Sequence, residues 1–171
     1  MIYEGNPKGS LPGRVAIIVA KFNQTITNRL LRGALDAFRA AGVSDDVVDV
    51  FYVPGAFEIP TVSGLLVQRS EYCGILALGA VIKGETSHDE HINRAISLMF
   101  AKQGAEFGKP VMFGVLTCNS VEQALARSAV ESEDADETRD KAKKAHLGNK
   151  GADCAQALLE MVDLLSLCAK S

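Results

Sequence analysis

Residues 73–88, CGILALGAVI followed by KGETSH, contain the clearest structural pattern in the chain. The first part is a continuous apolar run, which is typical of a parallel strand covered on both faces. The second part is a glycine-containing turn, and a helical pattern begins at His88. Free backbone N–H groups at such a helix start favour an anion such as phosphate. Because histidine exchanges protons near neutral pH, the segment predicts chemistry on a small phosphorylated molecule.

Strand and helix patterns alternate along the rest of the chain. Four runs predict buried strands: residues 14–20, 47–53, 73–82 and 109–116. Five patterns predict helices: residues 26–41 before Gly42, 58–68, 88–107 before Gly108, 120 to about 128, and 151–169. The alternation implies right-handed crossovers and a parallel sheet with helices on both faces. We therefore predict one α/β domain over residues 1–171, a three-layer αβα sandwich with a four-stranded, flavodoxin-like sheet.

Composition excludes several classes of protein. The net charge of −3 and the absence of a basic patch argue against a nucleic-acid partner. Apolar residues make up 47% of the chain, but no run reaches the roughly 20 residues of a membrane helix. The first residues lack the pattern of a signal peptide, so we expect a cytoplasmic protein. The four cysteines form no C-x-x-C pair, which predicts reduced and mostly buried thiols.

One stretch differs in composition from the rest. Residues 131–144, ESEDADETRDKAKK, are almost wholly polar, and we predict a solvated helix extension or surface loop within a polar insert at about 129–147. His146 belongs to this insert. His88 and His91 have helical spacing for a metal pair, but no third ligand is evident, so a metal site is only a minor alternative. The chain has neither a Walker phosphate loop nor a dinucleotide fingerprint, and we predict no cofactor.

Unusual residues follow each predicted strand, where open parallel sheets bind their ligands. Taken singly, each has an ordinary explanation. Phe22 and Phe57 would be rings at the core edge, Phe113 a core residue, His88 a helix-start residue and Arg127 a surface arginine. Taken together, two aromatic rings, an acid (Glu58), an anion cradle and a histidine at one sheet edge favour a binding site.

Several segments closely resemble the 6,7-dimethyl-8-ribityllumazine synthase family of riboflavin biosynthesis. The resemblance spans about residues 3–165 and is most specific in VPGAFEIP (53–60) and GAVIKGETSH (79–88). It also includes AKFN (20–23), FGVLT (113–117), EQA (122–124) with Arg127, and GNKG (148–151). Two departures stand out. Ala56 replaces a common serine or threonine, and Asp89 replaces an aromatic residue.

The resemblance implies a reaction and a set of roles. The family condenses 5-amino-6-(D-ribitylamino)uracil with 3,4-dihydroxy-2-butanone 4-phosphate, giving the lumazine, phosphate and water without a cofactor. His88 would be the proton donor and acceptor. The phosphate would be held by Glu85, Thr86 and Arg127. The pyrimidine and its ribityl chain would be held by Phe22, Ala56, Phe57, Glu58, Ala80, Val81 and Ile82, and Phe113 and Lys150 would also contact the substrate.

The resemblance also implies self-association. Family members form pentamers, some of which assemble into sixty-subunit shells, with Arg127 and Phe113 entering the site from a neighbouring subunit. The long polar insert favours a pentamer or decamer, and riboflavin synthase is a candidate partner. Two other functions stay open from the residues alone: a non-catalytic flavin- or pteridine-binding subunit, and a metal hydrolase that uses His88 and His91.

Overall fold

The computed structural model describes residues 1–8, 11–130 and 148–169. The polar residues 131–144 and His146 lie outside the described residues. Within those ranges the chain forms a parallel sheet of four strands in the order β2-β1-β3-β4. The strands are β1 (Arg14–Ala20), β2 (Val48–Val53), β3 (Tyr72–Ile82) and β4 (Val111–Cys118). The predicted α/β sandwich with a parallel sheet is confirmed.

Helices cover both faces of this sheet. They are α1 (Gln24–Ala40), α2 (Ile59–Leu66), α3 (His88–Phe107), α4 (Val121–Ala126) and α5 (Lys150–Cys168). Short 3-10 turns occupy Asp45–Val47 and Ala56–Glu58. The end of α3 was predicted at Gly108, and its φ of 60° shows the left-handed conformation that glycine adopts without strain. None of the helices described here is long and apolar enough to cross a membrane.

Two apolar clusters fill the space on either side of the sheet. The cluster under α1 and α5 holds Val15, Ile17 and Val19 of β1, and the cluster under α2 holds Ala16, Ile18 and Ala20. Alternate residues of β1 therefore point to opposite faces, and all are essentially inaccessible to solvent. The strand is central and buried on both sides, as its continuous apolar sequence predicted.

Most predicted bounds hold within two residues, and the largest difference, at β4, has a clear cause. We predicted residues 109–116, but the strand runs from Val111 to Cys118. Pro110 lacks an N–H group and so cannot donate to the ladder, although its carbonyl accepts from Ile75 N at 2.9 Å. At the other end Thr117 is polar but pairs with Val81, because threonine suits a strand well.

The register brings the ends of the strands to a common edge. Ala20 pairs with Val53, and Ile82 pairs with Cys118. Backbone hydrogen bonds continue past the strands, from Lys21 N to Val53 O at 2.8 Å and from Lys83 N to Cys118 O at 2.8 Å. β2 lies on one side of β1 in the sheet, and β3 lies on the other side. The carboxyl ends of β1 and β3 therefore flank the crevice where open sheets bind ligands.

A polar cluster joins three strands at the opposite, amino-terminal edge. Arg14 donates from Nε and Nη2 to the two carboxylate oxygens of Asp49, both at 2.6 Å, and Tyr72 OH donates to Asp49 Oδ2 at 2.9 Å. The hydrogen bonds from Arg14 are the largest cause of a lowered pKa at Asp49, and the one from Tyr72 adds to it. The cluster ties the edge strand β2 to β1 and β3.

Candidate active site

The end of β1 presents an aromatic ring to solvent. The Phe22 side chain is 70% exposed, so it is not the core-edge ring that its type alone would suggest. The next residue, Asn23, has a φ of 59° and precedes α1, and its side chain donates from Nδ2 to Ala80 O at 2.8 Å. Asn23 thus joins the ends of β1 and β3 and fixes the turn that presents Phe22. Sequence reasoning assigned it no role, although asparagine is among the few residues that accept this conformation.

The end of β2 leads into the 3-10 turn Ala56–Glu58. Phe57 is 58% exposed and Glu58 is also exposed, whereas Ala56 is 8% exposed and packs in the core. A Cβ atom on Gly79 of β3 would lie 3.4 Å from Ala56 Cβ, so the turn sits directly on the sheet. The Ala56 side chain therefore faces inward, and only the backbone at this position is available to a ligand.

The end of β3 leads into the turn for which the sequence predicts an anion cradle. Ala80 and Val81 are buried and Ile82 is half-buried, whereas Glu85, Thr86 and His88 are exposed. The hydroxyl oxygen of Thr86 accepts from the backbone N–H of His88 at 3.4 Å. His88 is the first residue of α3, so its ring stands beside the helix N-terminus. We call this surface, with Phe22 and the Ala56–Glu58 turn, the crevice.

A metal centre finds no support in this region. His88 and His91 are both exposed on α3. Among the described residues, no group of three or more histidine, cysteine or acidic side chains is arranged to hold a metal ion.

A second candidate surface runs along the outer edge of β4. A groove of about 230 Å³ is lined by Phe113 to Thr117 of that strand, Arg127, Lys150 and Cys154. We call it the β4 groove. Phe113 is 40% exposed and its ring lies 5.8 Å from that of Phe100. The expectation that Phe113 is a core residue is therefore wrong, because β4 is an edge strand in the described sheet.

The two cations of the β4 groove are linked through the backbone. Arg127 ends α4, and its Nη1 donates to Gln123 O at 3.1 Å. The backbone N–H of Lys150 donates to Arg127 O at 2.8 Å. Lys150 Nζ lies 2.6 Å from Asp153 Oδ2. The groove thus holds the guanidinium of Arg127 beside an ion pair of Lys150 with Asp153.

Burial raises the pKa of the Cys154 thiol in the groove, and the neighbouring Asp153 raises it further, so the thiol stays protonated at neutral pH. Burial likewise raises the pKa of Cys118 and of Cys73. All four cysteines are free, as predicted, but the expectation that most are buried is wrong: Cys118 is buried, Cys73 and Cys154 are half-buried, and Cys168 is exposed.

The predicted site residues thus fall on two surfaces of one chain. Phe113 pairs with Ala77, which precedes Lys83 by six positions, or about 20 Å along a strand. Its ring therefore cannot reach a ligand in the crevice of its own chain. Arg127 and Lys150 lie with Phe113 in the β4 groove, and the remaining candidates lie in the crevice.

Comparison with known proteins identifies one family over most of the chain. The family model described as 6,7-dimethyl-8-ribityllumazine synthase matches residues 12–166. A relative from Pediococcus pentosaceus, named 6,7-dimethyl-8-ribityllumazine synthase, is 42% identical over 151 residues, which cover 88% of this chain and 87% of the relative. The matched region includes both the crevice and the β4 groove.

Proposed function

Because the chain belongs to the 6,7-dimethyl-8-ribityllumazine synthase family, a transferase family of riboflavin biosynthesis, we propose the reaction that it catalyses. It condenses 5-amino-6-(D-ribitylamino)uracil with 3,4-dihydroxy-2-butanone 4-phosphate to give the lumazine, phosphate and water. The condensation transfers no electrons to an external acceptor, so it requires no redox cofactor.

The observation that carries the proposal is the division of the site residues between two surfaces. An aromatic slot and a histidine stand at the crevice, whereas Phe113, Arg127 and Lys150 line the β4 groove, with Phe113 out of reach of a ligand in the crevice of its own chain. A complete site forms when the β4 groove of one copy covers the crevice of another. This arrangement supports a homo-oligomer, with the pentamer as the smallest closed form that the family resemblance suggests.

Charge on the two surfaces supports the same arrangement. Acidic side chains surround the crevice (Glu58, Glu85, Asp89 and Glu90), and two exposed lysines (Lys21 and Lys83) offset only part of that charge. A phosphate approaching the crevice of a lone chain meets net negative charge. Arg127 and Lys150 from a second copy supply the missing cations, and the planar guanidinium of Arg127 suits a phosphate group.

Each group in the crevice has a task in binding. The exposed rings of Phe22 and Phe57 would hold the flat pyrimidine, with Phe113 of the second copy closing the slot. The backbone of the Ala56–Glu58 turn and the Glu58 carboxylate would bind the ribityl hydroxyls. The backbone of residues 80–82 would read the edge of the pyrimidine ring, since the side chains of Ala80 and Val81 are buried. Lys150 would complete the contacts from the second copy.

The chemistry needs proton transfers at one place. The pyrimidine amine attacks the ketone carbonyl to form an imine with loss of one water, a proton leaves carbon as phosphate departs, and ring closure then expels a second water. We assign these exchanges to His88, and its position at the start of α3 beside Thr86 supports that role. General acid–base catalysis of this kind contributes about 10²–10⁴-fold. Most of the remaining acceleration would come from holding two substrates in register.

A steady-state assay with both substrates tests the proposal. We expect the absorbance of the lumazine product to rise, with one phosphate released per product and no sensitivity to EDTA. An assembled protein that binds the pyrimidine but forms no product would reject the reaction and indicate the non-catalytic binding subunit. Loss of activity on chelation would favour the metal alternative.

A further inference from the structure

Asn149 joins three parts of the chain beside the β4 groove. It caps α5, where its Oδ1 accepts from the N–H groups of Gly151 at 2.9 Å and Ala152 at 3.2 Å. Its Nδ2 donates to the carbonyls of Arg29 at 2.8 Å and Ala129 at 3.1 Å. The side-chain amide therefore uses both hydrogens and its oxygen, and it links α5 to α1 and to the segment that follows α4.

The same residue lies between the two cations of the groove. Ser128 and Asn149 form an antiparallel bridge, and the N–H of Lys150 donates to Arg127 O at 2.8 Å. Arg29 Nε also donates to Ser128 O at 2.9 Å. Residues 127–128 and 149–150 thus form a short paired strip that is anchored on α1. A shift of this strip would move both cations together relative to the sheet.

Close packing leaves little choice of side chain at this position. A Cβ atom on Gly33 of α1 would overlap the Asn149 amide, and one on Gly151 would overlap the carbonyl of Leu30. Glutamine is longer by one methylene and would meet the Gly33 backbone. Serine would keep the helix cap but would lose both donations to the carbonyls. The hydrogen bonds at position 149 thus require a short side chain that has one acceptor oxygen and two N–H donors, as asparagine has.

We propose that Asn149 is a positioning residue for this reaction. It anchors the strip that carries Arg127 and Lys150 to α1, and so sets where the guanidinium meets the phosphate of the substrate bound in the neighbouring crevice. Asn149 itself touches no substrate. The inference rests on the proposed function through the roles given to the two cations, and its consequences are confined to the phosphorylated substrate.

The test is Asn149→Ser, which keeps the cap and removes the two anchoring donations. We expect the KM for the phosphorylated substrate to rise by between about tenfold and about a hundredfold, because small misplacements of positioning groups have effects of this order. The inhibition constant of inorganic phosphate should rise in the same proportion, and the KM for the pyrimidine should not change.

The matched control is Phe38→Leu, a buried position near the far end of α1. It should lower the melting temperature and leave both KM values unchanged.

Two results would overturn the inference. The first is that Asn149→Ser lowers kcat and the melting temperature together, while the KM for the phosphorylated substrate and the inhibition constant of inorganic phosphate do not change. A purely structural role requires that result. The second comes from the Arg127→Ala/Lys150→Ala background, where Asn149→Ser should weaken phosphate binding no further, since the effect acts through these two cations. An additive loss there would contradict the mechanism.

Calorimetric titration with inorganic phosphate separates this inference from the reaction. If the assembled protein forms no lumazine but Asn149→Ser still weakens phosphate binding, the proposed reaction is wrong and the positioning role stands. If the protein is active and Asn149→Ser binds phosphate as tightly as the unmodified chain does, the positioning role is wrong and the reaction stands.

Discussion

Mixing two inactive variants should restore activity if each site is built from two copies. His88→Ala damages the crevice, and Arg127→Ala damages the β4 groove. In a mixed assembly some sites pair an intact crevice from an Arg127→Ala chain with an intact groove from a His88→Ala chain. No such recovery is possible in isolated copies, because neither variant chain carries both an intact crevice and an intact groove.

The magnitudes follow from the two roles and from the geometry of pairing. His88→Ala alone should lose about 10²–10⁴-fold in kcat. Arg127→Ala removes a hydrogen bond between charged groups, which is worth about 1.5–3 kcal/mol, or roughly 10- to 150-fold in kcat/KM for the phosphorylated substrate. With equal amounts and random assembly, about a quarter of the sites have both intact halves. The mixture should therefore reach about a quarter of the unmodified activity per chain.

The assay is lumazine formation after the two variants are unfolded together and reassembled, or coexpressed. Native mass spectrometry should first establish that mixed assemblies form. Two controls define the baseline: variants assembled separately and then mixed, and His88→Ala combined with the double variant His88→Ala/Arg127→Ala. Neither should gain activity. If proven mixed assemblies stay as inactive as their parents, the shared site is wrong. The same conclusion follows if a monomeric form retains full activity.

Three further predictions concern the exposed ring of Phe22, the crossing of α1 and α5, and the polar cluster around Asp49. Phe22→Ala should raise the KM for the pyrimidine about tenfold, as expected for a lost stacking contact, with little change in melting temperature because the ring is exposed. Phe38→Ala, which removes a buried ring, should instead cost about 3–5 kcal/mol in the free energy of unfolding measured in urea. Gly151→Ala should cost about 1–3 kcal/mol by overpacking against Leu30 O, whereas Gly148→Ala meets nothing within 4 Å and should be neutral. Equal urea midpoints for these two glycine variants would contradict the close crossing of α1 and α5. Asp49→Asn should lower the melting temperature at neutral pH. The hydrogen bonds from Arg14 hold the pKa of Asp49 in the folded chain below its ordinary value, so its contribution to stability is present above that ordinary value and is lost as pH falls through the folded pKa. The difference in melting temperature between Asp49→Asn and the unmodified chain should therefore become smaller in strong acid. A difference that does not change with pH would contradict the stabilising role of the Asp49 carboxylate.

Features determined by neighbouring residues could be predicted from the sequence. The bounds of β1 and α3 match those predicted, because the β1 run is continuously apolar and Gly108 ends α3 in a conformation that other residues avoid. The predicted start of a helix near residue 120 is confirmed too, and the Ser120 hydroxyl caps α4 by accepting from Gln123 N at 3.3 Å. Each of these signals acts over a few residues, so no knowledge of the sheet order is needed to read it.

Features determined by distant residues could not be predicted in this way. An apolar Phe113 within a strand indicates a core position, yet the residue is exposed because β4 lies at the sheet edge. The inward orientation of Ala56 depends on contact with Gly79. The anchoring role of Asn149 depends on carbonyls of α1 and of the segment after α4. Strand order and helix crossings determine the exposure of Phe113, the orientation of Ala56 and the contacts of Asn149. Neither can be predicted from a pattern of neighbouring residues.

The division of the site follows from the strand order itself. A parallel sheet gathers ligand-binding loops at its carboxyl edge, and the order β2-β1-β3-β4 places the crevice between β1 and β3. The last crossover puts β4 at the sheet edge, and the segments that follow it carry Arg127 and Lys150 into the β4 groove. Under the proposed function, these cations serve the phosphate bound in the crevice of another copy, and Asn149 positions them for that contact.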